Sequence, residues 1–361
     1  MKKGVKITLI VAASVTVLGT AMLFAALMIG KFDTGSFGRS DFEDKTIEIN
    51  DSFDSISADV TSYDLIFVRS DDGRCSVEYR GNDKIFVNAE VKNGRLEIGQ
   101  KDQRRWYEKT MFFTSSWKST KATILLPEDK YGAIYAKAVS GDIDIPDGFT
   151  FSDAELISTS GNIVFNAATE NGFEAKTTSG DVRVASAAGK NVKLISTSGD
   201  TELLSVTAGT LEMRSTSGNV RLKNAQIDSD AVFKTVSGDI GIGNSGFGSL
   251  SVQTTSGDQE LTDVTVDGAA EYHTTSGKIK LSSVISLEKT QIGSVSGDIE
   301  FKSADAGSFY IKTVSGDVKG DILTPKFYSV KTTSGRVSTP SSDRGAGECE
   351  ITTTSGDVSI G

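Results

Sequence analysis

Residues 173–184 read Phe-Glu-Ala-Lys-Thr-Thr-Ser-Gly-Asp-Val-Arg-Val, and the pattern returns, with variations, along the last two thirds of the chain. Its Ser-Gly pair recurs at Ser140, Ser160, Ser179, Ser198, Ser217, Ser237, Ser256, Ser276, Ser296, Ser315, Ser334 and Ser355, at gaps of 19 to 21 residues. A period of that length belongs to solenoids. Six and four residues before each Ser stand apolar columns, as in Phe173 with Ala175 and Val192 with Leu194. Three and five after it come more apolar residues, as in Val182 with Val184. Alternation at period two places β-strands on both sides of the Ser-Gly.

The Ser-Gly-Asp between those strands reads as a tight corner, with Gly supplying positive φ and Asp or Asn bonding its own backbone. Two residues before the Ser the column is Ser or Thr in every repeat except the first, which has Ala138. Antiparallel hairpins need two alternating kinds of turn. One kind is visible, so equivalent strands are expected to stack in parallel. The expected fold is therefore all-β: a parallel β-solenoid (β-helix) of about twelve coils of 19–20 residues. At about 4.8 Å per coil its corners span roughly 53 Å.

The chain opens Met-Lys-Lys-Gly-Val-Lys and then carries no charge from Ile7 to Gly30. As a helix these residues are long enough to cross a bilayer, whereas a cleaved signal peptide, the rival reading, needs an apolar stretch of only about 7 to 15 residues. Lys2, Lys3 and Lys6 keep the short N-terminus cytoplasmic. The domain reading is a cytoplasmic tail over 1–6, a transmembrane signal anchor over 7–30, a linker over 31–45, an irregular β cap over 46–130 and solenoid repeats over 131–361. Localisation follows as the cell membrane, single-pass, with the C-terminal part extracytoplasmic. Of the net charge of −10, residues 1–31 contribute four Lys and no acid, so the exterior carries −14. That charge disfavours nucleic acid as a partner. The two cysteines, Cys75 and Cys349, are too few for a disulfide scaffold and read as small buried residues.

Within 46–130 the pattern predicts strands at Thr46–Ile49, Ser55–Val60, Asp64–Arg69, Arg74–Tyr79, Ile85–Val91, Arg95–Ile98 and Lys121–Leu126. Asp72-Gly73 and Asn93-Gly94 are hairpin signals. The phrase from Phe53 to Val68, Asn-Gly-Arg-Leu-Glu-Ile at 93–98, Leu-Leu-Pro at 125–127 and the repeated Thr-Thr-Ser-Gly-Asp-Val resemble a bacterial family of candidate adhesins of the β-strand-repeat type. That family is related to the toast-rack domains of membrane-anchored envelope-stress proteins. The resemblance implies a β-solenoid outside the cytoplasmic membrane with a surface or envelope role, and brings no catalytic residues with it.

No nucleophile motif, metal-ligand cluster or phosphate loop stands out, so no catalytic, cofactor-binding or metal residues are assigned. The corner row, Asp in most repeats, raises the alternative of a calcium-dependent surface scaffold. Calcium wants six to eight oxygens, and Lys278 and Arg336 interrupt the row. A polysaccharide-active β-helix enzyme is the other alternative, but the only His, His273, stands in an outward column that otherwise carries Lys or Arg at 137, 176, 214, 234, 312 and 331. The one non-repeating cluster is Arg104, Arg105, Trp106, Tyr107, Phe112, Phe113 and Trp117, the composition either of a partner contact or of a plug for the first coil. The functional expectation is a non-catalytic binding, adhesive or envelope-stress-sensing surface. Its partners are the membrane, an envelope protein or glycan, and a second copy through the C-terminal coil, where Gly361 follows closely on Asp357.

Overall fold

A computed structural model describes residues 42–104, 120–343 and 347–361, together with Thr16, Gly19, Thr20 and Met22. Those last four are helical. Most of Ile7–Gly30 lies outside the described residues, and among those described no helix is long and apolar enough to cross a membrane.

Residues 43–103, 120–343 and 347–361 form an all-β parallel β-solenoid, in which the twelve Ser-Gly corners delimit about 11 turns. The earlier coils have a short strand after the corner, such as Ile143–Ile145, Ile163–Phe165 and Val182–Val184, which in later coils merges with the next, as in Ile240–Gln253. A longer strand then leads to the next corner, such as Thr150–Ser158 and Ala168–Thr177. Equivalent residues stack in parallel: Ile163 pairs Ile143 on one side and Val182 on the other, and Ala154 pairs Ile134 and Phe173. The apolar columns thereby become continuous buried rows. Phe165 and Phe173 lie with ring centroids 4.5 Å apart inside the coil.

A second, less regular corner sits seven residues after five of the Ser, from Ser217 to Ser296. Asn224, Asn244, Asp263, Ser283 and Ser303 take φ between 47° and 55° there. Small polar side chains tolerate that left-handed conformation, and the Asn244 amide donates to Asn224 Oδ1 at 2.7 Å. The expectation of a single kind of turn is thus corrected. The second kind escaped notice because its residue type varies from coil to coil.

The parallel stacking continues into the region read as a cap. Ser55–Val60 pairs the strand Lys130–Ala138, and Tyr63–Arg69 pairs Ile143–Ile145. These two strands form a full coil whose corner is Thr61-Ser62-Tyr63-Asp64, with Tyr63 where the others have Gly. One layer further out lie Arg95–Asp102 and Thr120–Leu126, in parallel with them. Antiparallel strands then cover the end: Ile85–Lys92 on the first and Cys75–Gly81 on the second, with Glu43–Ile49 beyond. The hairpin at Asn93-Gly94, with φ of 50° and 74°, forms as its sequence predicts.

The other end departs from chain order. The strand Gly347–Thr352 pairs both Ile299–Lys312 and Lys326–Lys331, and Val358–Ile360 pairs both Val318–Ile322 and Val337–Ser338. The coil with Ser355 is therefore inserted between those with Ser315 and Ser334. Apolar content explains the exchange. Cys349, Ile351, Val358 and Ile360 are all buried to 4% exposure or less, whereas the coil with Ser334 offers Tyr328, Val330 and Val337, the last 48% exposed. The better hydrophobic layer takes the interior position. The skipped layer is bridged by Lys326, 4% exposed, whose Nζ lies 2.8 Å from Asp305 Oδ1 and donates to Thr324 Oγ1 at 2.7 Å. The expectation that the C-terminal coil forms the open end is corrected accordingly: the outermost layer is the coil with Ser334.

Ile360→Ala is expected to lower stability by about 2–4 kcal/mol, as for other large-to-small core changes. Val337→Ala should change it by less than about 0.5 kcal/mol. Urea unfolding of the two variants checks the layer order, since sequential stacking would bury Val337 and expose Ile360.

Candidate binding surface

The corner is built by three hydrogen-bonded rows. In the first, the Ser or Thr two residues before the Ser accepts from the corner Gly N–H in most coils, as Ser158 does from Gly161 at 2.9 Å and Thr177 from Gly180 at 3.0 Å. In the second, the backbone N–H of each corner Ser donates to a carbonyl one coil back, as Ser160 does to Val139 at 2.9 Å. In the third, the corner carboxylate or amide accepts from the corner N–H of the next coil. The row runs from Asp64 through Asp142, Asn162, Asp181, Asp200, Asn219 and Asp239 to Asp258, each Oδ1 accepting from the following residue's N–H. Lys278 accepts nothing, so the row breaks and resumes at Asp298, then passes through Asp317 and Asp357. Arg336 ends it by donating its N–H, Nε and Nη2 to Asp357.

These contacts give the corner carboxylates a structural task that an amide performs equally well, as Asn162 and Asn219 demonstrate. Among the described residues no cluster of His, Cys, Asp and Glu could hold a metal ion. The backbone N–H and guanidinium of Arg336 hold the Asp357 carboxyl below the ordinary carboxylate range. At Asp200, burial pushes upward, but hydrogen bonds from Asn219 and Arg221 outweigh it and the net shift is down. Stability from these two groups is complete above the ordinary carboxylate pKa near 4 and is lost as pH falls through their lower folded values.

Glycine is required at the corner for close approach. None of the corner glycines has a positive φ, which corrects the expected reason. A Cβ on Gly161 would lie 1.9 Å from the Gly141 carbonyl oxygen, and one on Gly238 would lie 2.0 Å from that of Gly218. At the first coil Tyr63 stands in the Gly position, and the Gln100 side chain accepts from the N–H groups of Thr61 and Ser62 at 2.7 and 2.8 Å. The Tyr63 ring is fully buried, packs edge-on to Tyr79 and donates its hydroxyl to the Arg80 carbonyl at 2.8 Å.

Of the sequence-predicted contact cluster, Arg104 is described and half-exposed. Arg105, Trp106, Tyr107, Phe112, Phe113 and Trp117 lie outside the described residues. Among the described residues it is Tyr63 and Tyr79 that fill the first coil. Both cysteines are free and buried, Cys75 with its thiol pushed up to about 11 and Cys349 to about 12, in each case by burial.

The outward columns before the corner form the accessible surface. Lys176 Nζ lies 2.8 Å from Glu174, Lys193 lies 3.8 Å from Glu174 and 3.4 Å from Glu212, and Arg214 pairs with Glu212. Lys137 reaches Asp59 at 3.5 Å. Exposed valines, Val236, Val295 and Val314, share with threonines the column just before the Ser.

Fold and surface together define a parallel β-solenoid repeat protein whose corner motif is architectural. Residues 53–258 and 242–361 match the Toastrack DUF4097 family, and the chain belongs to it. No curated protein matches the chain. Several solved structures are similar along most of its length. A candidate adhesin from Parabacteroides distasonis is 14% identical, covers 90% of this chain and 98% of its own, and gives a TM-score of 0.36. One from Bacteroides fragilis is 15% identical over 89% and 97%, with a TM-score of 0.26. A candidate lipid-binding protein from Parabacteroides distasonis is 17% identical over 90% and 98%, with a TM-score of 0.31. Likenesses this distant carry no argument about ligands.

Asp239→Asn should leave stability within about 0.5 kcal/mol, Asp239→Ala should cost about 1 kcal/mol, and Gly238→Ala about 3 kcal/mol. Thermal denaturation of the three variants distinguishes a packing corner from a metal site, because a metal site would lose stability with Asp239→Asn as well as with Asp239→Ala. Thiol reagents at pH 8 should label neither cysteine until the chain is unfolded in denaturant.

Proposed function

We propose that this chain is a membrane-anchored, extracytoplasmic β-solenoid that serves the bacterial envelope as a non-catalytic binding surface, for adhesion or for sensing envelope stress. One observation carries the reading. The outward columns hold their side chains in straight rows one coil rise apart, on backbone hydrogen-bonded to coils on both sides. Such a surface is rigid before its partner arrives, so little ordering entropy is lost on contact. It also repeats, which suits a partner that repeats or a contact made at several points.

Anchoring is supported by the charge-free stretch Ile7–Gly30 behind Lys2, Lys3 and Lys6. Within it Thr16, Gly19, Thr20 and Met22 are helical, and the Thr20 hydroxyl donates to the Thr16 carbonyl at 3.0 Å, one helical turn back. The resemblance to adhesin-like and envelope-stress proteins supports the same placement. An envelope protein or a glycan is the partner class this surface suits.

Protease added to intact protoplasts should degrade the chain beyond about residue 45 and leave an N-terminal fragment in the membrane. Recovery of a mature chain beginning near residue 30, free in the medium, would overturn the anchor.

A further inference from the structure

The ion pairing of the outward columns before the corner stops partway along the solenoid, although pairs such as Lys280 with Glu260 continue after the corner. Up to Arg214 each cation of the column three residues before the Ser that the structure describes has an acid beside it. At the next coil the neighbouring column changes to Val232 and then Ser251. Lys234, half-buried, enters no ion pair among the described residues, and neither does His273. At this place a shallow, open groove of about 660 Å³ runs across five coils, from Ile195 to Thr275, parallel to the stacking direction. Four coil rises make it roughly 19 Å long.

One wall of the groove is the row Arg214, Lys234, Gln253 and His273, and the other includes the hydroxyls of Thr216 and Thr255. The floor hydroxyls are committed to the corner, as Ser215 accepts from Gly218 and Thr274 from Gly277. The walls therefore supply one cation without a counter-charge, at Lys234, an imidazole, an amide, and hydroxyls on four of the five coils, the coil of Lys234 presenting Val236 instead. The nearest acids in the adjoining column are Glu212, which pairs with Arg214, and Glu271 at the far end.

We propose that this groove is the ligand contact of the surface described above, and that it holds a linear anionic glycan, a chain of uronate sugars lying along the stack. The proposal rests on the binding-surface reading and names its ligand class. An uncompensated cation in a chain of net charge −10 selects for a carboxylate at that point. A row of hydroxyls and an amide suits sugar hydroxyls. An acidic peptide fits less well, because side chains on one face of an extended strand recur every 6.6 to 6.8 Å or so, against about 4.8 Å between coils. Added-strand pairing is closed to it, since these coils already pair on both sides.

Binding of fluorescent oligogalacturonate to the detergent-solubilised full chain tests the proposal. The expected result is saturable binding that weakens with salt. Lys234→Gln should reduce affinity about tenfold, the size of one charge-assisted hydrogen bond. Lys223→Gln, an equal charge change at an exposed position on the short strand past the corner, should leave it unchanged. Absence of binding at low ionic strength, or an equal loss with Lys223→Gln, overturns the site. Equal affinity for polyglutamate overturns the choice of glycan, and equal affinity for maltooligosaccharide overturns the requirement for charge. None of these outcomes touches the protoplast result, so this proposal can fail while the envelope reading stands.

Discussion

Everything in this solenoid hangs on how closely two backbones approach at the corner. The carbonyl of one corner glycine occupies the place where the next would carry a Cβ, less than about 2 Å away. No side chain fits, and no small adjustment makes room for one. The corner must therefore recur as Gly at every internal layer, and its neighbours are drawn into the same rule. The Ser or Thr three residues earlier satisfies the glycine N–H, and the Asp or Asn that follows satisfies the N–H of the next coil. A buried or half-buried polar backbone group left without a partner costs more than a hydrogen bond gains. One steric fact thus generates a four-residue motif and its period.

The two ends show what happens when the constraint lapses. At the first coil Tyr63 stands in the glycine position and its ring fills the core end. At the far end Arg336 replaces Asp and donates where the others accept, so the outermost layer offers no carboxylate for a further coil. That layer also carries Pro325 and Pro340 beside its short strands, and its final strand, Val337–Ser338, has only two residues. Charges, prolines and short strands are the usual means by which an edge is kept from pairing with another sheet. Terminal repeats in solenoids are typically atypical and polar. Here the atypical repeat is placed last in space although it is next to last in sequence.

Much of this was legible in the sequence for a physical reason. Alternation at period two with a fixed corner left a strong signature, so the strands Ser55–Val60 and Ile85–Lys92 fall at or within a residue of their expected bounds. The first-coil corner was missed because the search signal was Ser-Gly, and Tyr63 stands where Gly would. The second corner was missed because its left-handed residue is Asn, Asp or Ser in different coils, each of which is also common on a solvated surface. The exchanged order of the last two coils has no local signal at all. It follows from comparing the burial available to Ile351 and Ile360 with that available to Val330 and Thr339, a competition between layers rather than a property of either. The groove was hidden for a related reason: Lys234 looks like Lys176 in its column, and what distinguishes it is Val232 in place of Glu174 next door.

A scaffold this constrained also decides where specificity can reside. Inward columns are fixed by packing, and the corner is fixed by backbone contact and hydrogen bonding, so a substitution in either is felt as stability. The outward columns before the corner are free of both demands. Where opposite charges alternate there, as at Glu174, Lys193 and Glu212, they neutralise one another and present little to a ligand. Exposed pairs of this kind contribute at most about 1 kcal/mol each to the fold, so a coil can lose its acid at small structural expense. Exchanging Glu for Val at 232 or Ser at 251 leaves the stack intact while exposing a cation on a rigid, shallowly grooved strip.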